Sequence, residues 1–520
     1  MKSTYTFGVT ALFGLALPAA ADPVLSNLFS DHAVLQRDKP LPVWGTADPG
    51  EKLTVILGER QAETSAGPDG KWSLTLAAQA VSSAPLELVI EGKTTITRTD
   101  ILLGDVWLCG GQSNMDMALG SCDVPDEIAS ADHPLIRHFR TGMNFATRPA
   151  EDLSGSWAVC GPDTAFGFSA VGYYFGREIQ AEVGVPIGLL TSAVGGTNIE
   201  LWISQEKLLT TPALSGYAEI MRNSLADYQK KLKDHLPEAL AWAEKGSVAV
   251  ESGDLIPLPP DRPEFPFSDK VARPRCVTLH NGMIAPLAPF ALKGAIWYQG
   301  ENNAGDAEYV EKKKALIAEW RELFQSPELP FYFVQLAAWQ APNPNPEGGE
   351  WGMIRDLQRQ CLEIPHTGMA CAIDIGDALD IHPKNKEDVG KRLALWALKK
   401  KYGKTDLVAS GPLFQKIAVE GDHIRLHFDS LGGGLMTARK EGHEPSVETP
   451  DAKLQRFAIA GEDRRWVWAE AVIDGETVVV RSPDVPHPVA VRYAYSSNPV
   501  GANLYNRAGL PASPFRTDRW

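Results

Sequence analysis

The run Gly104-Asp105-Val106-Trp107-Leu108-Cys109-Gly110-Gly111-Gln112-Ser113-Asn114-Met115 decides how the rest of the chain is read. An apolar strand enters Gly110-Gly111, where residues without side chains permit a sharp turn, and Ser113 follows at a helix start. A hydroxyl there suits a nucleophile, because a helix N-terminus offers backbone N–H groups to an oxyanion. It is not the G-x-S-x-G nucleophile elbow, since Met115 occupies the place of the second glycine. Taken alone, Ser113 reads better as an ordinary N-cap.

Outward from this run, residues 101–403 alternate apolar strand-like runs with helical periodicity. Val185 to Leu190, Ala291 to Tyr298 and Phe331 to Leu336 read as buried parallel strands. The spacing predicts helices over Val171–Val183, Tyr309–Phe324 and Lys386–Tyr402. Strand and helix in alternation imply an α/β fold, a parallel sheet with helices on both faces. A polar helical insertion and a Pro-rich surface stretch occupy about 205–275, as decoration or as a lid.

Residues 22–100 instead carry short alternating runs such as Leu53-Thr54-Val55-Ile56-Leu57 and Trp72-Ser73-Leu74-Thr75-Leu76. They are split by turn sequences, which reads as a β-sandwich-like domain. Period-two alternation returns over 404–520, a second β-rich region expected to pack against the first.

The N-terminus sets the expected compartment. Met1-Lys2, the apolar run Phe7 to Leu17 and Ala19-Ala20-Ala21 have the parts of a secretory signal peptide, residues 1–21, with cleavage after Ala21. A secreted or periplasmic protein with no membrane span after cleavage is the expectation. Lys plus Arg total 50 against 65 Asp plus Glu, a net charge of −15. No run concentrates basic residues, so nucleic acid is excluded as a partner. Six cysteines in an exported chain are permitted to form disulfides, but without a CxxC pair no pairing is assigned.

Three further loops follow predicted strands. Asp374-Ile375-Gly376-Asp377-Ala378-Leu379-Asp380-Ile381-His382-Pro383-Lys384-Asn385-Lys386 crowds carboxylates around one His, the pairing a serine needs for proton removal. The rival view, a metal held by Asp377, Asp380 and His382, lacks a supporting His pair, and no metal or cofactor is expected. Thr191-Ser192-Ala193-Val194-Gly195-Gly196-Thr197 and Trp297-Tyr298-Gln299-Gly300-Glu301-Asn302-Asn303 hold glycine N–H groups and side-chain amides, the donors an oxyanion takes. Ligands gather at the carboxyl ends of strands in open α/β sheets, so the coincidence of these loops carries weight.

Together these blocks, with Asn281-Gly282-Met283-Ile284-Ala285-Pro286-Leu287, resemble the sialate O-acetylesterase family of SGNH-type serine hydrolases. The resemblance runs from Val24-Leu25-Ser26-Asn27 into the C-terminal β region. It implies an SGNH-hydrolase-like (flavodoxin-like) three-layer core and an esterase that removes O-acetyl groups from sugars, sialic acids first. The alternatives are an acetyl xylan or plant-polysaccharide esterase, or a non-catalytic carbohydrate-binding protein.

The resemblance also implies Ser113 as nucleophile, His382 as base, and an oxyanion hole of Ser113, Gly196 and an amide from the 299–303 block. Gln299 is favoured there over Asn302 and Asn303. The family pattern places an Asp three residues before the His. That position is Leu379 here, which leaves Asp380, Asp377 or a backbone carbonyl to orient His382, with Asp380 taken first. Asn114, Asn303 and Arg355 are candidate substrate contacts, Arg355 for a sialate carboxylate. Trp107, Trp202 and Trp297 adjoin the blocks and favour a sugar ligand.

Overall fold

A computed structural model describes residues 22–267 and 276–520. The signal-peptide expectation, residues 1–21, lies outside them. The main sheet runs in the order Trp157–Cys160, His133–Arg140, Ile187–Ala193, Thr95–Gly111, Gly294–Tyr298, Phe331–Gln335, Thr367–Cys371. Neighbours are parallel, except that Trp157–Cys160 is antiparallel to His133–Arg140.

Thr95–Gly111 is the central strand, and successive residues point to opposite faces. On one face Trp107 meets Phe175 of the helix Ala170–Val183 edge-on, with ring centroids 5.0 Å apart. On the other face Gly110 lies under Trp297 and Trp320, and a Cβ there would sit 3.0 Å from atoms of both rings. Trp320 belongs to the helix Tyr309–Leu323, so helices cover both faces of the sheet. Trp297 meets Trp202 at 6.0 Å and Trp320 at 5.6 Å, all edge-to-face. Each such pair adds about 1 kcal/mol beyond its buried area.

The central strand also joins two regions that the sequence separates at residue 100. Its first half pairs antiparallel with Ser82–Glu91, Ile90 opposite Ile96, and its second half pairs with the α/β strands. Val34–Gln36 runs parallel to Leu102–Gly104. Most of the buried apolar side chains from Leu25 to Leu398 accordingly form one continuous core. The 100/101 boundary falls inside a strand, not in a linker.

The insertion contains the helix Ser215–Ser252, on which only Ala218, Met221, Gly246 and Ala249 are buried. The Pro-rich stretch that follows is largely exposed through Pro263 and returns along the helix, where Trp242 Nε1 donates to Pro257 O at 2.6 Å.

After residue 404 the chain builds antiparallel sheets with their own core, including Ile424, Val478, Phe457, Tyr493 and Phe515. Among the described residues, the hydrogen bonds that dock this region run to the α/β sheet with its loops and helices, and none runs to the N-terminal strands it was expected to pack against. Gln335 Nε2 donates to Ser513 Oγ at 2.8 Å, and Tyr505 O–H donates to Asp374 at 3.1 Å. All six cysteines are buried, and no disulfide joins the described residues. Burial pushes the Cys109 and Cys371 thiols up to about 12, so these are core side chains rather than reactive ones.

Candidate active site

The turn that presents Ser113 depends on Gly111. Its φ is +140°, and a Cβ would come 2.2 Å from Tyr298 O on the neighbouring strand, so only glycine fits. Gln112 N then donates to Tyr298 O at 3.0 Å, and Gln112 O accepts from Met115 N and Asp116 N to open the short helix Ser113–Asp116. Gln112 is therefore the N-cap. Ser113 is the first helical residue, and its hydroxyl is left for another partner.

That partner is His382, whose Nε2 lies 2.8 Å from Ser113 Oγ. Asp380 Oδ1 accepts from His382 N at 2.8 Å and lies 3.3 Å from Nδ1. The backbone N–H of His382 is the main reason the Asp380 carboxyl is held below its ordinary value. A charged Asp380 beside Nδ1 favours the tautomer with the proton there, leaving Nε2 to accept. Asp377 is occupied elsewhere, its Oδ1 accepting from Leu379 N at 2.8 Å within the turn. Leu379 points into solvent, 96% exposed.

Of the carboxylates weighed for orienting His382, the geometry favours Asp380. Its side chain is 40% exposed, so solvent screens the pair. Asp380→Ala is expected to lower kcat/KM about 10- to 100-fold, short of the ~10⁴ of a buried triad aspartate. Asp377→Ala should stay within about 3-fold of the parent. Steady-state rates on p-nitrophenyl acetate check both, and the reverse ranking would overturn this assignment.

The glycine loop lies against the nucleophile. A Cβ on Gly195 would sit 3.3 Å from Ser113 Cβ, and Gly196 adopts a left-handed φ of +69°. Asn302 Nδ2 donates to Gly196 O at 2.9 Å, and Asn198 Nδ2 to Asn302 O at 3.1 Å, so the two amides tie the loops together.

A family model described as carbohydrate esterase, sialic acid-specific acetylesterase, matches residues 103–241 and 269–399, just over half of the chain. The chain belongs to this family of carbohydrate esterases. Sialate O-acetylesterase of Rattus norvegicus is 29% identical to this esterase, over 94% of this chain and 93% of its own. The Homo sapiens sialate O-acetylesterase is 26% identical, over 94% and 91%. A solved carbohydrate acetylesterase from Xanthomonas citri is 37% identical, with a TM-score of 0.78 over 96% of this chain and 100% of that one. The protein is thus a carboxylic ester hydrolase.

Several side chains of this esterase take other places than the sequence suggested. Gln299 is fully buried, and both amide hydrogens are committed, to Thr197 O at 3.2 Å and Asn303 Oδ1 at 2.7 Å. It holds the glycine loop and has no donor to spare for an oxyanion. Asn303 is a buried junction rather than a substrate contact, donating to Glu200 and Asp306 while accepting from Ile199 N. Asn114 is likewise buried, bonded to Glu301, Ile381 O and Lys386.

Arg355 is fully buried and spends its guanidinium on the carbonyls of Leu336, Ala337, Ser496 and Ser497, so it cannot meet a substrate carboxylate. Trp107, Trp202 and Trp297 are each fully buried and offer no face to a sugar; here the core claims them.

Lys386, Glu301 and Asn198 join the site without having stood out in the sequence. The one available signal for Lys386 is its position. It is the N-cap of the helix Glu387–Lys401, where a cation opposes the helix dipole and so needs another reason to be present.

Proposed function

We propose that this esterase removes acetyl groups from sugar hydroxyls, O-acetylated sialic acids first, through an acetyl-serine intermediate. The observation that carries the reading is the 2.8 Å contact of His382 Nε2 with Ser113 Oγ, made at the carboxyl ends of parallel strands beside the Gly195-Gly196 loop. Ser113 Oγ attacks the acetyl carbonyl as Nε2 takes its proton. The oxyanion forms against the N–H groups of Ser113 and Gly196. As the tetrahedral adduct collapses, His382 returns the proton to the departing sugar oxygen. A water then gives its proton to Nε2 and attacks the acetyl-serine, and the second collapse releases acetate and restores the hydroxyl. These steps call for no metal or organic cofactor.

An SGNH-type, flavodoxin-like three-layer core is the finer fold we propose, supported by helices on both faces of the central strand. We also propose export, which rests on the signal-peptide pattern of residues 1–21; among the described residues no helix is long and apolar enough to cross a membrane.

Arg140 supports a sialate substrate in the place Arg355 vacates. It ends its parallel strand on the same side as Ser113, is 38% exposed, and donates to the side chain and carbonyl of Asp116, three residues past Ser113. The guanidinium is a cation near the site that can meet a sugar carboxylate.

Acetate release from O-acetylated N-acetylneuraminic acid and from acetylated xylan, measured side by side, tests the reading. A higher kcat/KM on the sialic acid is expected. Release from xylan alone would make the substrate a plant polysaccharide. Sugar binding with no acetate released from either would make the protein a binding module.

A further inference from the structure

Burial does little to fix the His382 loop, since the side chains of His382 and Asp380 are 37% and 40% exposed, and Asp377 and Asp380 bond N–H groups of the loop itself. Two buried side chains grip its backbone from outside that turn. Asn114, next to the nucleophile, donates from Nδ2 to Ile381 O at 3.1 Å. Lys386 Nζ donates to Pro383 O at 2.7 Å. The carbonyls before and after His382 are therefore both held.

The two grips are joined. Lys386 Nζ donates to Asn114 Oδ1 at 2.6 Å, while Asn114 Nδ2 also donates to Glu301 Oε1 at 2.7 Å. The ammonium on one side and the carboxylate on the other allow the amide a single orientation, because a flipped amide would set NH₂ against NH₃⁺ and oxygen against oxygen. We propose that Lys386, Asn114 and Glu301 are positioning residues, a buried clasp that sets His382 Nε2 within hydrogen-bonding reach of Ser113 Oγ. The inference rests on the Ser113–His382 mechanism proposed above.

The clasp is costly to bury, which argues that its geometry is what is kept. Desolvation pulls the Lys386 ammonium down to about 8 and pushes the Glu301 carboxyl up. Apolar side chains of similar volume commonly replace a buried ion pair without loss of stability, so packing alone does not require these groups. Each comes from a different loop: Asn114 from the nucleophile turn, Glu301 from the segment after Gly294–Tyr298, and Lys386 from the start of Glu387–Lys401. The clasp thus joins the nucleophile turn to the base loop directly. The Tyr298 ring lies 5.6 Å from the ammonium, and Cys122, Asp380 and Lys384 are the other titratable groups that act on it.

Lys386→Met and Asn114→Ala test the clasp in the full chain, with p-nitrophenyl acetate as substrate and a fluorophosphonate to count reactive serines. Thermal unfolding reports whether each variant folds. The expected result is kcat per folded enzyme lower by on the order of 10²-fold, as a displacement near 1 Å produces, with KM within about 2-fold. Serine labelling should slow in step. A purely structural role would reduce the amount of folded enzyme and leave kcat per folded molecule unchanged, which overturns the proposal. If Lys386→Met fails to fold, Asn114→Ala decides. If neither folds, the residues build the fold and the positioning role is rejected. Ser113→Ala is the control: activity surviving there would condemn the serine mechanism, whereas parent-like Lys386→Met with inactive Ser113→Ala condemns the clasp alone.

Discussion

Ser113→Ala is expected to fold like the parent and to turn over acetyl esters about 10⁴- to 10⁶-fold more slowly. The substitution removes one oxygen from a half-buried side chain whose hydroxyl meets His382 and caps nothing. Stability should therefore move by no more than about 1 kcal/mol. Binding of the acetyl sugar and the backbone donors of the glycine loop remain, so the loss falls on kcat. p-Nitrophenyl acetate turnover beside a thermal melt separates the two effects. A melt like the parent's with undiminished turnover would remove Ser113 from the reaction.

The largest stability effect is expected at Arg355. Its guanidinium joins the carbonyls of Leu336 and Ala337, past the end of the strand Phe331–Gln335, to those of Ser496 and Ser497 in the C-terminal region. Methionine fills much of the volume but supplies no donor, leaving the Leu336 and Ser496 carbonyls unpaired inside the seam, while Ala337 O keeps Trp351 Nε1 and Ser497 O keeps Trp339 N. Each buried carbonyl left without a donor costs about 1–3 kcal/mol, and the pair sets the size of the effect. Arg355→Met should show it as a lower denaturant midpoint and faster proteolysis after residue 404. KM for an O-acetylated sialic acid should be unchanged in the folded fraction. A selective rise in KM for that substrate, with stability intact, would return Arg355 to the carboxylate-binding role.

The two predictions mark what a sequence discloses and what it hides. Strand-loop-helix punctuation placed Ser113 and His382 at strand ends, where α/β sheets put their chemistry, but Ser113 alone read as an N-cap and only the family resemblance paired the two. The helices Val171–Val183 and Tyr309–Phe324 were legible within a residue, because one apolar stripe faces the sheet. His133–Arg140 was not, because its Arg137 and His138 look like surface residues. In the fold Arg137 is satisfied by Asp100 and His138 by Thr191.

Gln299, Asn303 and Arg355 failed as functional candidates for one shared reason. A sequence shows which side chains can donate a hydrogen bond but not which donors the fold has already used. Lys386 failed the opposite way, since a lysine in Lys384-Asn385-Lys386 looks solvated until the loop closes over it. Residue 100 lies inside one strand that serves both sets of partners, and the change is marked only by a bulge in which Asp100 adopts a left-handed φ of +56°.

The central claim is that acetyl transfer passes through Ser113 with His382 as its base. Intact-protein and peptide mass spectrometry after brief exposure to a fluorophosphonate tests it most directly. A single adduct is expected on the peptide carrying Ser113, formed quickly by the parent and far more slowly by His382→Ala. An adduct on another residue, or equal labelling with and without His382, would contradict it.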